Sequence, residues 1–546
     1  MPTGTASAHG AVVALADGIS SSAVSQIASA AAVRSLLDDY YATPETWSTR
    51  RAGVRVLSAI NAWLYAQNGR AGHRSEPDRG YVCTLSALIC KGAAGHLFHV
   101  GDSRIYRVHR DALELLTRDH RLALGGGESY LARALGAAPD VEIDYQTFPI
   151  EAGEIFLLAT DGVYEHIEHA DVAGALAEAG DDYNAAARAL TERALARGST
   201  DNLTALLVRV DARDDDWTAA ELRRDTLPLP PALSPRMTFD GYTIIRELHA
   251  SHRSHLHLAV DDASGARVAL KTPSIDLSGD DAYLDRFLIE EWVARRVNHP
   301  NVLKPAPATR PRAYRYVAME YLDGQTLAQW RLDHPDASVG EVRALVEQIA
   351  KGLQALHRLE ILHQDLRPEN VMIGNDGTVK LIDFASARVA GLADGSAASE
   401  PQPMLGTLQY TAPELFIGDD GSERSDQFSL AVITYELLTG RLPYGADVAR
   451  VRHRGDLARL IYHSARDGRR GVPSWIDETL RRALQPDPAK RYESLSEFLQ
   501  DLRRPNRRYL NRDQPLLARD PVRFWKSLAL LLAAVCAGLT LKLLSR

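Results

Sequence analysis

The sequence predicts a multidomain α+β protein that ends in one transmembrane helix. Three observations predict this: a proline-rich segment in mid-chain, a mixture of strand and helix patterns on each side of it, and an uncharged apolar run near the C-terminus. The 546 residues are enough for about three or four domains of ordinary size. The composition, 45% hydrophobic and 25% charged, is that of a globular protein. The net charge of -8 argues against nucleic acid as a partner.

The mid-chain segment is the clearest domain boundary. Residues 211–238 combine a short acidic cluster with four prolines, a composition that favours a stiff, extended linker. A second polar, arginine-rich stretch covers residues 504–523. We therefore predict a first domain over 1–210, a second over 239–503 and a final helix over 524–544. The three cysteines are too few and too scattered to indicate a disulfide framework.

The final helix is predicted to be a membrane anchor. Leu528–Leu541 carries no charge, and the run reaches about 21 residues when its flanks are counted and Lys526 and Lys542 extend towards the interfaces. Arginines crowd its N-terminal side, which places the folded domains in the cytoplasm under the positive-inside rule. A buried core helix or an interfacial anchor is the alternative.

The second half contains short motifs in a distinctive order. Val-Ala-Leu-Lys closes a strand at Lys271, Glu290 follows in a helical segment, and His-Gln-Asp-Leu-Arg-Pro-Glu-Asn occupies 363–370. Asp-Phe-Ala at 383–385 and Ala-Pro-Glu at 412–414 come later. Together they resemble a eukaryotic-type (Hanks-type) Ser/Thr protein kinase over about 265 residues. The resemblance implies a two-lobed kinase fold and protein substrates with Ser or Thr.

The resemblance also implies roles for individual residues. Lys271 would hold the α- and β-phosphates of ATP, and Glu290 would fix Lys271 by an ion pair. Asp365 would accept the proton of the substrate hydroxyl, with Arg367 supplying positive charge near the γ-phosphate. The expected Mg²⁺ ligands are Asn370 and Asp383. The expected nucleotide-binding residues are Leu248, His249, Ser254, Leu256, Ala269, Lys271 and Glu290. A structural pair, Arg491 with Glu414, and a structural Asp426 are expected in the large lobe.

Three departures from the kinase pattern stand out. The loop over 249–256 contains no glycine, although glycines there let the backbone approach phosphate closely. Ala385 replaces the glycine of Asp-Phe-Gly. Gln364 replaces the Arg that usually grips a phosphate on the activation segment. These departures leave open a nucleotide-binding or inert pseudokinase.

The first half places acidic residues at the ends of strand-like runs. Asp17, Asp102 and Asp161 each follow such a run, and Asp201 precedes one. A single Asp-Gly is usually only a turn, but this ordered set, with Gly-Asp-Ser-Arg and Asp-Asn-Leu-Thr, resembles the PPM/PP2C-type Ser/Thr phosphatases. That family implies an α/β/β/α sandwich that hydrolyses phospho-Ser/Thr with two or three Mg²⁺ or Mn²⁺ ions. The implied metal ligands are Asp17, Gly18, Asp161 and Asp201, with Asp102 at a weaker third ion.

The start of the first half departs from that family. Only 16 residues precede Asp17, and none is Arg, Asp or Glu, whereas the family has an Arg and an Asp ligand on an earlier strand. Either the true start lies upstream or the domain lacks a strand, a ligand and a phosphate clamp. A regulatory PPM-like module is the competing interpretation.

The whole sequence thus resembles a bacterial bifunctional signalling enzyme, a PPM-type phosphatase joined to a Ser/Thr kinase that uses ATP with Mg²⁺. We expect a single-pass anchor in the inner membrane of the bacterium. The alternative is a membrane-tethered scaffold built from a pseudophosphatase and a weak or inert kinase. The sequence is silent on oligomeric state.

Gln364 generates a testable hypothesis, namely that the kinase needs no phosphate on its activation segment. We expect a variant with Ala at Ser396, Ser399 and Thr407 to keep its kinase activity, because the usual arginine receptor for that phosphate is absent. Kinase assays beside a thermal unfolding scan check this. Loss of activity in a folded variant would contradict the hypothesis.

Overall fold

The computed structural model describes residues 9–124, 128–212, 227–277, 279–307, 310, 312–392, 408–467, 471–506 and 521–544. Ser396, Ser399, Thr407, half of the first predicted linker and most of the second lie outside the described residues. The chain forms two compact units. The first comprises Met1–Leu322, Leu356–Ile361 and Asp383–Glu400, and the second comprises Asp323–Ala355, Leu362–Ile382 and Pro401–Arg546.

The N-terminal part of the first unit contains ten strands and five helices among its described residues. The strands are β1 (Ala11–Leu15), β2 (Leu85–Lys91), β3 (Ala94–Val100), β4 (Arg104–Val108), β5 (Leu113–Leu115), β6 (Arg121–Leu124), β7 (Glu128–Leu131), β8 (Asp144–Pro149), β9 (Ile155–Ala159) and β10 (Ala205–Arg209). The helices are α1 (Ser25–Tyr41), α2 (Thr49–Ala71), α3 (Asp161–Tyr164), α4 (His169–Ala179) and α5 (Tyr183–Ala196).

These strands form two antiparallel sheets that pack face to face. One sheet has the order β1-β2-β3-β8 and the other β10-β9-β4-β5, while β6 and β7 form a separate hairpin. Side chains alternate along a strand, so Phe156 and Leu158 point into the core between the sheets with Leu88. Leu157 faces the other way, into a cluster with Leu190 of α5.

Helices cover the outer face of each sheet. α4 and α5 supply the cluster outside β9, and α2 lies over β3, where a Cβ at Gly53 would stand 2.3 Å from the ring of Phe98. Glycine therefore allows the close approach of α2 to the sheet. The layer order is helix, sheet, sheet, helix, as the sequence predicts for this region.

The rest of the chain begins with a small sheet and continues mainly as helices. Its strands are β11 (Thr238–Phe239), β12 (Tyr242–Ala250), β13 (Ser254–Asp261), β14 (Arg267–Pro273), β15 (Val317–Glu320), β16 (Gly324–Thr326), β17 (Ile361–Leu362), β18 (Val371–Gly374), β19 (Val379–Leu381) and β20 (Arg388–Val389). Its helices are α6 (Asp281–Arg296), α7 (Leu327–Asp333), α8 (Val339–His357), α9 (Glu423–Thr439), α10 (Arg454–Leu457), α11 (Ser474–Ala483), α12 (Leu495–Arg503) and α13 (Pro521–Leu544).

The small sheet belongs to the first unit and has the antiparallel order β11-β12-β13-β14-β15. Its apolar face encloses Ile244, Leu270 and Tyr316. α6 follows this sheet in the chain, with an N-terminus capped by Asp280, whose side chain accepts from the amide of Tyr283 at 2.9 Å.

The second unit is organised around α9. All the residues of α9 from Ser425 to Leu438 are buried, so it is a central helix with no solvated face. A buried ion pair braces the helices around it: Arg491 donates to both carboxylate oxygens of Glu414, at 2.7 and 2.6 Å. This confirms the predicted structural pair.

The predicted transmembrane anchor is wrong. α13 forms over Pro521–Leu544, but no helix among the described residues is both long and apolar enough to cross a bilayer. The stretch between Lys526 and Lys542 holds 15 residues, which span about 22 Å as a helix against a hydrocarbon core of about 30 Å. The predicted location at the bacterial inner membrane loses its support with the anchor.

A buried charge cluster on α6 makes the first unit sensitive to acid. Glu291 is fully buried and receives hydrogen bonds from Arg312, at 2.8 and 2.5 Å, and from Arg295 at 2.7 Å. These two guanidinium groups outweigh the effect of burial and lower the pKa of Glu291 to about 2.

We expect the folded state to lose stability as the pH falls below the usual Glu pKa of about 4.5. In that range Glu291 binds a proton in the unfolded chain but stays ionised in the folded protein, so acid favours the unfolded state. Glu291→Gln should lower stability at neutral pH and flatten its decline between about pH 5 and pH 2. Thermal unfolding at several pH values measures this. An equally steep decline in the variant and in the wild type would contradict it.

Candidate active sites

The first site is centred on a buried ion pair between β14 and α6. Lys271 Nζ lies 2.7 Å from Glu290 Oε2 and 3.1 Å from Asp383 Oδ1. The side chain of Lys271 is 13% exposed and that of Glu290 only 2%, whereas Asp383 is 39% exposed. The structure thus brings together three predicted residues that are up to 112 positions apart in the chain.

Local backbone structure positions each of these three groups. In the sheet, Lys271 pairs with Leu256 of β13 on one side and Val317 of β15 on the other. Asp383 has a φ of 65°, in the left-handed region that non-glycine residues rarely adopt, and its carboxylate accepts from the Ala385 amide at 3.3 Å. Such backbone strain is common where a side chain must be held for function.

Electrostatics favour the charged form of the lysine. Burial alone would lower the pKa of Lys271, but the carboxylates of Asp383 and Glu290 outweigh it, so its pKa lies above the usual lysine value. Burial raises the pKa of Glu290 while the ammonium of Lys271 opposes that rise. Lys271 therefore stays positively charged, and Asp383 is its neighbour that faces solvent. A fixed positive charge of this kind is suited to binding phosphate oxygens.

The hairpin that resembles the glycine-rich loop contains no glycine and is held in its conformation by hydrogen bonds. Leu248 lies at a register shift of β12, between Glu247 and His249, and His249 pairs with Leu256 of β13. Ser251 closes the turn, because its amide donates to the carbonyl of Ser254 at 3.0 Å and its hydroxyl accepts from the Ser254 amide at 3.1 Å.

Two residues that the sequence analysis missed hold this hairpin from outside. The carbonyl of Arg253 accepts from the Tyr283 hydroxyl on α6 and from the Ser274 amide, the latter at 2.7 Å. Of the remaining predicted nucleotide residues, Ala269 pairs with Leu258 and with Met319 within the sheet.

The predicted catalytic loop lies in the second unit. Asn370 donates to the backbone carbonyl of Asp365 at 2.8 Å and to its carboxylate at 3.0 Å. Arg367 Nε stands 3.7 Å from the same carboxylate. Asp426 of α9 accepts from the amides of His363 and Gln364, both at 2.9 Å, which explains its predicted structural role.

Gln364 supports the loop in a different way from an arginine. Its φ of 60° is left-handed, and its side-chain amide donates to the carbonyl of Asp420 at 3.0 Å. Gln364 is therefore engaged with neighbouring backbone, and its neutral side chain offers no charge to a phosphate.

The second site lies at the strand ends of the N-terminal sandwich. Asp17 follows β1, Asp102 follows β3, Asp161 follows β9 and Asp201 precedes β10. Burial, together with the negative charges of the other three carboxylates, raises the pKa of Asp17 to about 7. The four predicted acids therefore lie close enough to repel one another. Gly18 forms an isolated bridge with Cys83 beside them.

An arginine that the sequence analysis missed enters this acidic cluster. Arg121, at the start of β6, donates from Nε to Asp102 at 2.6 Å and from Nη2 to Asp161 at 2.7 Å. Its Nη1 is 3.3 Å from Glu165. The guanidinium thus neutralises part of the repulsion in the cluster.

This arrangement does not fit the metal centre that the resemblance implies. Within the ranges that the structure describes, no three His, Cys, Asp or Glu side chains are placed to hold one metal ion. Arg121 occupies oxygens of two of the four carboxylates that would serve as ligands. The carboxylates are oxygen donors of the type that Mg²⁺ and Mn²⁺ prefer, but the cation that two of them bind is the guanidinium of Arg121.

Comparison with known proteins agrees with both resemblances. Residues 242–502 match the family described as "Protein kinase domain", and residues 4–207 match "Protein phosphatase 2C". The chain carries a serine/threonine protein kinase domain and a PP2C-like domain. Hereafter residues 242–502 are the kinase domain and residues 4–207 the PP2C-like domain.

Curated relatives named as serine/threonine-protein kinases each match about half of this chain. "Probable serine/threonine-protein kinase PknB" of Bifidobacterium longum is 32% identical over 263 residues, 46% of this chain and 37% of its own length. "Serine/threonine-protein kinase PknB" of Mycobacterium tuberculosis is 34% identical over 281 residues, 49% of this chain and 43% of its own. The chain thus spans about two fifths of the length of these curated relatives. The crystal structure of the M. tuberculosis PknI kinase domain is 30% identical, covers 50% of this chain and 99% of its own, with a TM-score of 0.39.

The contact of Arg121 with the acids predicts a competition with cations. We expect Arg121→Gln to bind Mn²⁺ at least about tenfold more tightly than the wild type, because the carboxylates lose their resident positive charge. Isothermal titration calorimetry measures the affinity. Arg209→Gln, which removes an exposed pair with Asp181, is the matched control. Equal Mn²⁺ affinity in all three proteins would contradict the competition.

Proposed function

We propose that the kinase domain transfers the γ-phosphoryl group of ATP to Ser or Thr hydroxyls of proteins. The observation that carries this proposal is the buried Lys271–Glu290 ion pair with Asp383 beside it. A lysine kept charged and immobile in a small sheet is what binding of nucleotide phosphates requires. The similarity of the domain to bacterial serine/threonine kinases supports the same reaction class.

Each of the predicted kinase residues has a separate role in the proposed reaction. Lys271 binds phosphate oxygens of ATP, and Glu290 fixes its position. Asp365 orients the acceptor hydroxyl and takes its proton as the oxygen bonds to the γ-phosphorus and the bond to the β–γ bridging oxygen breaks. Asn370 holds the Asp365 carboxylate in place through its 3.0 Å hydrogen bond. Arg367 contributes positive charge beside that carboxylate.

The kinase domain also has the donor types that Mg²⁺ prefers. Asp383 offers carboxylate oxygens and Asn370 an amide oxygen, and both are the hard ligands typical of magnesium sites. When bound with ATP, Mg²⁺ supplies positive charge that offsets the charge on the phosphates.

The PP2C-like domain supports a second candidate function, hydrolysis of phospho-Ser or phospho-Thr. The family match and the convergence of four aspartates favour it. The contacts of Arg121 limit it, since the acidic cluster is already partly neutralised by the protein itself.

Intact mass of the full chain after incubation with Mg·ATP tests the kinase proposal. The test uses an Asp161→Ala background, so that no phosphate is removed. We expect added phosphate in this background and a loss of at least about a hundredfold in rate when Asp383→Ala is added, because Asp383 would hold the Mg²⁺ that offsets the charge of the phosphates in the transition state.

The outcomes separate the two candidate functions. No phosphate in the background, on the chain or on an added generic acceptor protein, would contradict the kinase and favour a scaffold. Higher phosphate occupancy in the Asp161→Ala protein than in wild type would support the phosphatase. Equal occupancy would contradict it.

A further inference from the structure

The PP2C-like domain contacts the helix of the kinase domain that carries Glu290. The end of α1, the segment after it and the start of α2 all touch α6, and these elements belong to the same compact unit. The contacts fall at two levels along α6. They matter for the kinase reaction because α6 carries Glu290, the residue that pairs with Lys271.

The contact at the C-terminal end of α6 is buried and polar. Arg296 Nε donates to Asp39 Oδ2 at 2.8 Å, and the indole nitrogen of Trp292 donates to the backbone carbonyl of Asp39 at 3.2 Å. The side chains of Arg296 and Asp39 are 3% and 10% exposed. An ion pair so deeply buried is costly to break from one side only, because the remaining charge is left unpaired.

The second contact lies nearer the N-terminal end of α6. Asp285 receives a hydrogen bond from Arg55 of α2 at 3.1 Å and forms an ion pair with Arg51. The guanidinium of Arg55 also stacks over Trp47 at 4.5 Å. The Trp47 ring in turn packs against Trp292, with ring centroids 5.6 Å apart. Aromatic packing therefore joins the two levels into one interface.

Helix geometry shows why this interface controls Glu290. At about 100° per residue, Asp285, Trp292 and Arg296 lie within about 20° of one line along α6. Glu290 projects about 140° away from that line. One face of α6 is thus held by the PP2C-like domain while the opposite side presents Glu290 to Lys271. Rotation or withdrawal of the helix would break both sets of contacts together.

The same helix α2 reaches two further parts of the kinase domain. Trp63 donates from its indole nitrogen to the carbonyl of Arg358 at 3.1 Å, and Arg70 pairs with Glu360 at 2.7 Å. A Cβ on Gly391, eight residues after Asp383, would stand 2.3 Å from the Ser58 carbonyl oxygen. The contact surface therefore extends from α6 to the start of the segment that follows Asp383.

We propose that the PP2C-like domain acts as a built-in positioning partner of the kinase domain, holding α6 so that Glu290 reaches Lys271. The inference rests on the proposed kinase function. In it Asp39, Trp292 and Arg296 are positioning residues that act through Glu290 and do not touch substrate. By linkage, Mg·ATP bound to the kinase domain and docking of the PP2C-like domain reinforce one another.

Charge reversal across the interface tests the proposal in the full chain. Asp39→Arg places two arginines face to face, and Asp39→Arg with Arg296→Asp restores an opposite-charge pair. Asp181→Arg is the matched control, because Asp181 is an exposed aspartate of the same domain whose partner is Arg209. The readouts are the initial rate of phosphate incorporation, the Mg·ATP affinity, and hydrogen exchange of the amides of 281–296, beside a thermal scan for folding.

We expect Asp39→Arg to slow phosphate incorporation at least about tenfold, as α6 shifts to positions without the Lys271–Glu290 pair. Exchange across 281–296 should rise in that variant, and the double variant should recover both readouts at least partly. Asp181→Arg should match wild type. A purely structural role for Asp39 would lower thermal stability without these coupled changes and without the recovery.

Three results would overturn the proposal: wild-type rates in a folded Asp39→Arg protein, unchanged exchange of α6, or a folded double variant that recovers neither readout. Failure of the kinase function itself is seen separately. An Asp161→Ala chain that incorporates no phosphate, on itself or on an added acceptor protein, contradicts the proposed activity, while exchange of α6 in the same set of variants still decides whether the PP2C-like domain holds the helix.

Discussion

The buried ion pair between Lys271 and Glu290 is the interaction on which the functional architecture depends. Its 2.7 Å contact can form only if β14 and α6 are correctly placed, since both side chains are largely buried and each needs the other as its partner. The small sheet fixes one partner through the pairing of β14 with β13 and β15. The other partner depends on a single helix, and a lone helix beside a sheet has more freedom to move than a central strand. Contacts on the far side of α6 therefore matter as much as those at the pair itself.

A second electrostatic constraint governs the PP2C-like domain. Several carboxylates brought to one edge of a sandwich repel one another, and a positive charge must offset that repulsion. In this protein the offset comes from Arg121, on the separate β6–β7 hairpin. Both domains thus pair a buried or half-buried cation with several carboxylates. In the kinase domain the cation is the predicted functional group, Lys271, whereas in the PP2C-like domain Arg121 neutralises the predicted functional carboxylates.

Much of this organisation could be predicted from the sequence, because the decisive motifs are local. Lys271 ends a strand-like run and Glu290 lies in a helical pattern, so their elements follow from periodicity, and their pairing followed from the family resemblance. The strand-end aspartates were found in the same way. Arg121 carries no such signal, since it lies in a short hairpin outside the motifs and its partners are 19 and 40 residues away.

The remaining misses have equally physical causes. Asp39 and Arg296 belong to different domains and are 257 positions apart in the chain. No local sequence pattern around either residue predicts their contact. The membrane anchor was predicted by adding flanking residues to a run that is too short between its lysines. Hydrophobicity identified the helix correctly but not its role.

The tryptophan at the centre of the α6 contact has a further consequence. Trp292 is completely buried, and the groups that surround it include Trp47 from the other domain. A kinase domain cut from this chain would present that indole to water as part of an apolar patch, which favours aggregation or a substitute partner. Recombination could therefore not exchange either domain alone without also changing the shared face. Each domain is, in this sense, part of the environment that the other needs to stay folded and soluble.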